Sequence, residues 1–121
     1  MNQEKERPKI QVKVLAAQTL VDELAEQAEA NPTAVQIISK GTEKDPTALE
    51  FELGDVANII ALVEGAIIAG EWGYRLYKWI SANKNRRVVI QTPTRRIQLH
   101  YSEGMTEEEV RTALQQLIST V

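Results

Sequence analysis

The sequence predicts an α+β domain: a two-layer sandwich in which helices cover one face of a mixed sheet. Two observations predict this class. Short segments with alternating apolar residues, typical of half-buried strands, are interspersed with segments whose apolar residues recur every three or four positions, typical of amphipathic helices. The chain of 121 residues, 43% of them hydrophobic, is also long enough to bury one core of its own. The predicted element order is β-α-β-(β)-α-β-β-α.

The first elements follow a polar start. Residues 1–8 are expected to form a flexible tail, and residues 9–121 a single domain. Alternation from Lys9 to Val14 predicts the first strand, with Ile10, Val12 and Val14 facing inward.

A helix and a second strand come next. The helix carries an apolar stripe from Leu20 to Ala28, and Thr19 is expected to cap it. Residues 34–39 predict a strand with Val35 and Ile37 inward, which would complete a parallel βαβ unit.

The middle of the chain is expected to be largely helical. Residues 48–53 alternate and form either a short strand or an extended lead-in, and both alternatives stay open. Gly54-Asp55 is expected to begin a helix over 56–83, with Asp55 as its cap. Such a helix would be about 42 Å long, so its glycines predict a break or kink near 70–73. Its apolar part ends at Ala69 and is too short to span a membrane.

The C-terminal elements show clear local signals. Residues 86–91 and 95–101 predict a β-hairpin around Pro93. The last helix is predicted to begin with a capping box formed by Thr106 and Glu109.

Charge is distributed unevenly along this chain of net charge −3. Residues 1–71 hold 6 basic and 13 acidic side chains, whereas residues 72–102 hold 7 basic and no acidic ones. The strand positions that do not face the core are polar or basic, which predicts a sheet with one open face. We interpret this face either as a solvated surface or as an anion-binding surface formed by Lys9, Lys13, Arg87, Arg96 and His100.

Aromatic residues are concentrated in the second half of the predicted long helix. Four of the chain's six aromatic side chains lie between Trp72 and Trp79. One interpretation makes the tryptophans a core stripe, and the other makes this segment a contact surface, since aromatic residues and arginine are enriched at interface hot spots. The partner-binding residues predicted by the second interpretation are Trp72, Tyr74, Arg75, Tyr77 and Lys78.

The supply of reactive side chains argues against an enzyme. The chain has no cysteine and one histidine, His100, and no sequence motif places a nucleophile or a carboxylate to work with it. We therefore expect no catalytic residue, no metal site and no cofactor. The charged N-terminus lacks the apolar segment of a signal peptide, which indicates a cytoplasmic protein.

Residues 60–100, about a third of the chain, show a pattern of an apolar glycine-containing helix, then Leu-x-x-Trp-Ile, a basic patch, a strand, a turn and a second strand. The residues that carry this pattern are Gly65, Gly70, Leu76, Trp79, Ile80, Lys84, Arg86, Arg87, residues 88–91, Pro93, Ile97 and Leu99. The pattern resembles that of the effector-associated constant component domains of bacterial conflict systems. The resemblance implies a small α/β module that is encoded beside, or fused to, effectors such as caspase-like or trypsin-like peptidases. The chain departs from the family pattern at Leu53-Gly54-Asp55 before the helix, and at Thr94, where the turn glycine is replaced.

The sequence thus predicts a non-enzymatic adaptor or accessory module that binds a protein partner, such as an effector enzyme or a second copy in a homodimer. The alternative is a binder of nucleic acid or of a small anionic ligand through the basic sheet face. Nucleic acid is less favoured, because the sequence pI is about 5.2 and the predicted strands place no exposed aromatic residues for base stacking.

Overall fold

The computed structural model describes residues 9–44, 55–83 and 86–119. The predicted tail 1–8, the stretch 48–53 and Lys84 of the basic patch lie outside these ranges. The described part confirms the α+β class, with its helices on one face of a five-stranded sheet. Its elements are β1 (Lys9–Ala16), α1 (Gln18–Ala30), β2 (Val35–Lys44), β3 (Asp55–Glu64), α2 (Gly65–Ile67), a π-helical segment (Ile68–Trp72), α3 (Gly73–Ala82), β4 (Arg87–Gln91), β5 (Arg96–His100) and α4 (Glu107–Ile118).

The sheet has the strand order β2-β3-β1-β4-β5, and each of these neighbouring pairs is antiparallel. The prediction of a mixed sheet with a parallel βαβ unit is therefore wrong. Strands β1 and β2 do run in the same direction, but β3 lies between them, so that β1-α1-β2 is a split βαβ unit.

Strand β3 is the main departure from the sequence-based expectation. The predicted helix over 56–83 is wrong in its first part, because residues 55–64 form a strand and the helix begins at Gly65. Asp55 accordingly begins β3 and is not a helix cap. A continuous apolar run cannot be assigned by periodicity alone, and here it forms a central strand between two others.

The core lies between the sheet and the helices. Alternate residues of β3, from Ala57 to Val63, point into it and pack against the buried side of α1. The apolar stripe of α1 is buried as predicted, at Leu20, Val21, Leu24, Ala25 and Ala28. The predicted Thr19 cap is wrong, because Ala17 is the N-cap and α1 already includes Thr19.

The helix after β3 continues from Gly65 to Ala82 through a π-helical segment. The Gly73 amide donates to the carbonyl of Ile68, five residues earlier. The helix therefore does not break near 70–73, and a widened turn over Ile68–Trp72 stands at the place where a break or kink was predicted.

This widened turn has a packing consequence. A spacing of four overshoots one α-helical turn by about 40° at each step, so a straight α-helix would rotate every fourth residue away from the core. The π turn absorbs part of this drift. Four residues at this spacing are consequently all buried: Ile68, Trp72, Leu76 and Ile80.

The C-terminal elements agree with their prediction. Strands β4 and β5 form the expected hairpin, and the Thr92 hydroxyl accepts from the Arg95 amide at 3.1 Å within its turn. At α4, the Thr106 hydroxyl accepts from the Glu109 amide at 3.3 Å, and the Glu109 carboxylate accepts from the Thr106 amide at 3.1 Å. The predicted capping box is therefore confirmed.

Candidate interaction surfaces

The outer surface of α3 presents one aromatic residue and one lysine. The Tyr74 side chain is 46% exposed, and it and Ile38 are the large hydrophobic residues that stand out as exposed in the described part of the chain. Lys78 lies one turn further on, with its ammonium nitrogen 5.4 Å from the centre of the Tyr74 ring. Residues four apart share a helix face, so the two form one cationic and aromatic surface.

Trp72, which was predicted as a partner-binding residue, lies in the core. It is 1% exposed, and its indole Nε1 donates to Gln27 Oε1 on α1 at 2.9 Å. A buried indole N–H needs an acceptor, and Gln27 supplies it. Trp72 therefore joins the π-helical segment to α1 and offers no surface to a partner.

Arg75 is also occupied within the fold. Its NH1 lies 2.7 Å from Glu23 Oε2 on α1, and its NH2 lies 3.6 Å from Glu71 Oε2, one turn earlier. The ion pair with Glu23 links α3 to α1, whereas the pair with Glu71 lies within the continuous helix. Arg75 is thus a structural link, and the expectation that it contacts a partner directly is not supported by its surroundings.

Tyr77 packs on the other side of α3. Its ring centre lies 6.5 Å from that of Tyr101, and its hydroxyl donates to the Met105 carbonyl at 3.4 Å. Tyr77 fastens α3 to the segment that follows β5. Of the five predicted partner-binding residues, the structure places only Tyr74 and Lys78 at the exposed surface.

A contact between Arg86 and Trp79, which the sequence did not predict, lies at the C-terminal end of α3. The Arg86 guanidinium carbon lies 3.7 Å from the centre of the Trp79 ring, and Arg86 NH1 donates to the Trp79 carbonyl at 3.1 Å. The arginine stacks on the indole and also satisfies a carbonyl of the last helical turn. The Trp-basic pattern in the sequence was a signal for this pair.

A polar cleft of about 400 Å³ lies between α1 and the π-helical segment. Sequence reasoning missed it, because the residues from the two helices are more than 40 positions apart. Arg75 supplies its one basic side chain, against three carboxylates. The residues that line it are Glu23, Glu26, Gln27, Ala30, Asn31, Glu71 and Arg75.

The second sheet face, opposite the helices, carries the predicted basic residues. Register places Lys13 opposite Gln91, which in turn is opposite Arg96, and it places Arg87 opposite His100. Lys9 lies four residues before Lys13 and therefore on the same face. The prediction that these residues share a face is confirmed by the strand pairing, although their role in anion binding stays a prediction.

This second sheet face is less uniformly basic and less open than predicted. The unforeseen β3 contributes Val56, Asn58, Ile60, Leu62 and the acidic Glu64 to it. Val56 packs with Leu15 and Val89 in a small buried cluster, and the last two side chains are fully inaccessible. This half of the face is therefore not open.

The other half of the second sheet face is exposed to a larger degree. Its apolar centre consists of Ile60 and Leu62 of β3, both of intermediate exposure. Strands β1 and β2 border this centre on its two sides. We call this half the sheet-face patch, and it carries one acidic residue, Glu64, directly opposite Lys9. The patch comprises Lys9, Gln11, Lys13, Gln36, Ser39, Ile60, Leu62 and Glu64.

The described residues show little that resembles a reaction centre. Within them no group of three or more His, Cys, Asp and Glu side chains is placed to hold a metal ion. His100 is exposed on the edge strand β5, opposite Arg87. Among the helices of residues 9–44, 55–83 and 86–119, none has the length and hydropathy needed to cross a membrane.

Comparisons of the chain with protein-family models, with curated proteins and with solved structures gave no match. A proposal about function therefore rests on the geometry described above.

Proposed function

We propose that the chain is a non-enzymatic adaptor or accessory module that binds a protein partner through the outer surface of α3. The exposed Tyr74 ring beside the Lys78 ammonium is the observation that carries this proposal. Tyrosine supplies a large, amphipathic contact area at a small cost in conformational entropy, and a neighbouring cation adds electrostatic selectivity.

Contacts on the inner side of the helix hold Tyr74 and Lys78 in place, which favours a role of these two residues in binding a partner. Trp72 and Arg75 hold the helix to α1 through Gln27 and Glu23, and Tyr77 holds it to the Met105 carbonyl. A contact residue on a rigid element loses less entropy on binding than one on a loose segment. Trp72, Arg75 and Tyr77 thus fix the helix within the fold. The exposed residues of the predicted set, Tyr74 and Lys78, lie on this fixed helix.

The chemistry of the α3 surface and the family resemblance together suggest a class of partner. A tyrosine with an adjacent lysine suits a surface that combines an apolar pocket with a carboxylate. Because residues 60–100 resemble the constant components of bacterial conflict systems, we propose that this partner is an effector enzyme that acts in the cytoplasm. The proposal assigns no chemistry to this chain, whose one histidine and lack of cysteine leave few reactive groups.

Site-specific photo-crosslinking would test the proposal in the cells that express the protein. A benzophenone amino acid at position 74 should give one dominant crosslinked product, whereas the same residue at exposed Gln116 on α4 should not. With the identified partner purified, Tyr74→Ala should weaken the affinity about 30-fold, the size of an aromatic hot spot. Lys78→Glu should weaken it further.

Gln116→Ala is the matched control, because it truncates an exposed side chain on another helix. Its affinity for the partner should equal that of the wild type. Equal crosslinking from positions 74 and 116, or an affinity unchanged by Tyr74→Ala, would rule out α3 as the binding surface.

A further inference from the structure

The polar cleft between α1 and the π-helical segment carries more negative than positive charge. Its volume of about 400 Å³ falls within the range of small-ligand pockets, about 300–1,000 Å³. Among the described residues, three carboxylates line it, and Arg75 is already paired with two of them, Glu23 and Glu71. The third, Glu26, forms no ion pair or hydrogen bond with a described residue. The cleft therefore keeps a negative charge that nothing described in the fold neutralises.

A buried glutamine adds a hydrogen-bond donor to the wall of this cleft. Gln27 is 9% exposed, and its Oε1 accepts from Trp72 Nε1. Because an indole nitrogen can only donate, the oxygen of the Gln27 amide must face Trp72, and this fixes the direction of Nε2. In the described part of the chain no group accepts a hydrogen bond from Gln27 Nε2.

The free end of the Gln27 amide opens into the cleft. Arg75 Nε is the side-chain nitrogen of the described residues that is fully buried without a hydrogen-bond partner. Gln27 Nε2 also lacks a partner but is not buried to this degree, so it reaches solvent. Gln27 lines the cleft and Trp72 does not, so the cleft is where Nε2 becomes accessible. A donor that the fold already holds in one direction loses little entropy when a ligand oxygen replaces water.

A guanidinium is the cation that this arrangement favours. The cleft already holds one, since Arg75 NH1 lies 2.7 Å from Glu23 Oε2 of α1 and Arg75 NH2 lies 3.6 Å from Glu71 Oε2. Glu26 lies three residues after Glu23 and therefore on the same side of α1. A second guanidinium beside Glu26 would repeat this pairing, because its planar fork matches a carboxylate better than a lysine ammonium does.

We propose that the cleft binds an arginine side chain of a peptide, with the guanidinium beside Glu26 and a peptide carbonyl oxygen accepting from Gln27 Nε2. Glu26 and Gln27 are neighbours in α1, so one arginine residue with its adjoining carbonyls supplies both groups. Tyr74 and Lys78 do not line the cleft, so this site is separate from the surface of the proposed function.

The first test measures the binding of N-acetyl-arginine amide to the purified chain by NMR chemical shifts. The wild type should bind this probe with a dissociation constant on the order of 1 mM, as expected for a ligand of so few atoms. N-acetyl-citrulline amide has nearly the same shape but no charge. It should bind about fivefold more weakly, because the pairing with Glu26 is lost.

A charge reversal locates the site on α1. Glu26→Lys should weaken binding of N-acetyl-arginine amide at least about tenfold, because it places a like charge beside the guanidinium. Glu103→Lys is the matched control, since Glu103 is exposed in the turn after β5 and does not line the cleft. It changes the net charge equally and should bind the probe like the wild type. Circular dichroism should show that both variants are folded.

A second probe isolates the contribution of Gln27. Propylguanidinium keeps the positive charge but has no carbonyl oxygen, so the wild type should bind it about fivefold more weakly than N-acetyl-arginine amide. Gln27→Met lacks Nε2 and should lose this preference between the two probes. Because both probes are compared on the same variant, a loss of stability cannot produce this result.

Four results would overturn the proposal. They are a wild type that does not bind N-acetyl-arginine amide, equal affinities for the arginine and citrulline probes, equal weakening by Glu26→Lys and Glu103→Lys, and a Gln27→Met variant that keeps its preference. Tyr74→Ala should bind N-acetyl-arginine amide like the wild type. The cleft site and the proposed function can therefore fail independently of each other.

Discussion

At the residue scale, the position of an aromatic residue around the helix axis determines whether its side chain is buried in the core or exposed at the surface. Trp72 and Tyr74 are two residues apart, so their side chains point about 200° apart around the axis. One is buried against Gln27, and the other is exposed. Trp72 thus fits the interpretation of the aromatic segment as a core stripe, and Tyr74 has the exposure that the interpretation as a contact surface requires.

The Trp72–Gln27 hydrogen bond should contribute measurably to stability. Replacement of Gln27 by methionine keeps most of the side-chain volume but removes the acceptor of the buried indole N–H. An unsatisfied buried donor costs about 1–3 kcal/mol, so the free energy of unfolding should fall by that amount. Denaturant titration followed by tryptophan fluorescence would measure it.

Gln36→Met provides the matched control, since Gln36 is exposed on β2. Its effect should stay within about 0.5 kcal/mol, as for most surface substitutions. If the two variants proved equally stable, the hydrogen bond to Trp72 would contribute nothing net.

At the element scale, the sequence predicted well those features that depend on neighbours in the chain. The stripe of α1, the β4–β5 hairpin and the capping box of α4 are all local, and all were found. The secondary structure of residues 55–64 could not be predicted from neighbours in the chain. Its apolar run satisfies helix and strand patterns equally, and only pairing with β1 and β2, more than ten residues away, makes it a strand.

The capping box of α4 should be worth a typical cap energy. Thr106→Ala removes the hydroxyl that accepts from the Glu109 amide. The expected loss is about 1 kcal/mol of unfolding free energy, because one amide of the first turn loses its partner.

Thr112→Ala is the control for this cap, since Thr112 is exposed in the middle of the same helix. There alanine has the higher helix propensity, so stability should stay equal or rise slightly. Thermal unfolding by circular dichroism compares the two, and a larger loss for Thr112→Ala would contradict a capping role of Thr106.

At the scale of the whole molecule, β3 determines both the topology and the second sheet face. Its insertion between β1 and β2 makes the sheet antiparallel. It also adds an apolar centre to the second sheet face, which the sequence predicted to be basic. The residues of that face could be predicted from alternation on each strand separately. Their division into a buried half and a sheet-face patch could not, because it depends on a strand order that no local pattern contains.

A pair of substitutions on β3 tests this arrangement. Ala61 is fully buried against the helices, and neighbouring Leu62 points to the second sheet face with partial exposure. Ala61→Glu places an unpaired charge in the core and should cost on the order of 3–5 kcal/mol, a large part of a typical domain's stability. Leu62→Glu keeps its charge in contact with water, near Lys9 and Lys13, and should leave the fold intact.

Chemical denaturation would rank the stabilities of the two variants, and Leu62→Glu should unfold at nearly the same denaturant concentration as the wild type. Equal destabilisation by the two glutamates would mean that positions 61 and 62 do not lie on opposite faces. Because the face assignment of β3 underlies the sheet-face patch itself, that result would remove the patch together with the register that defines it.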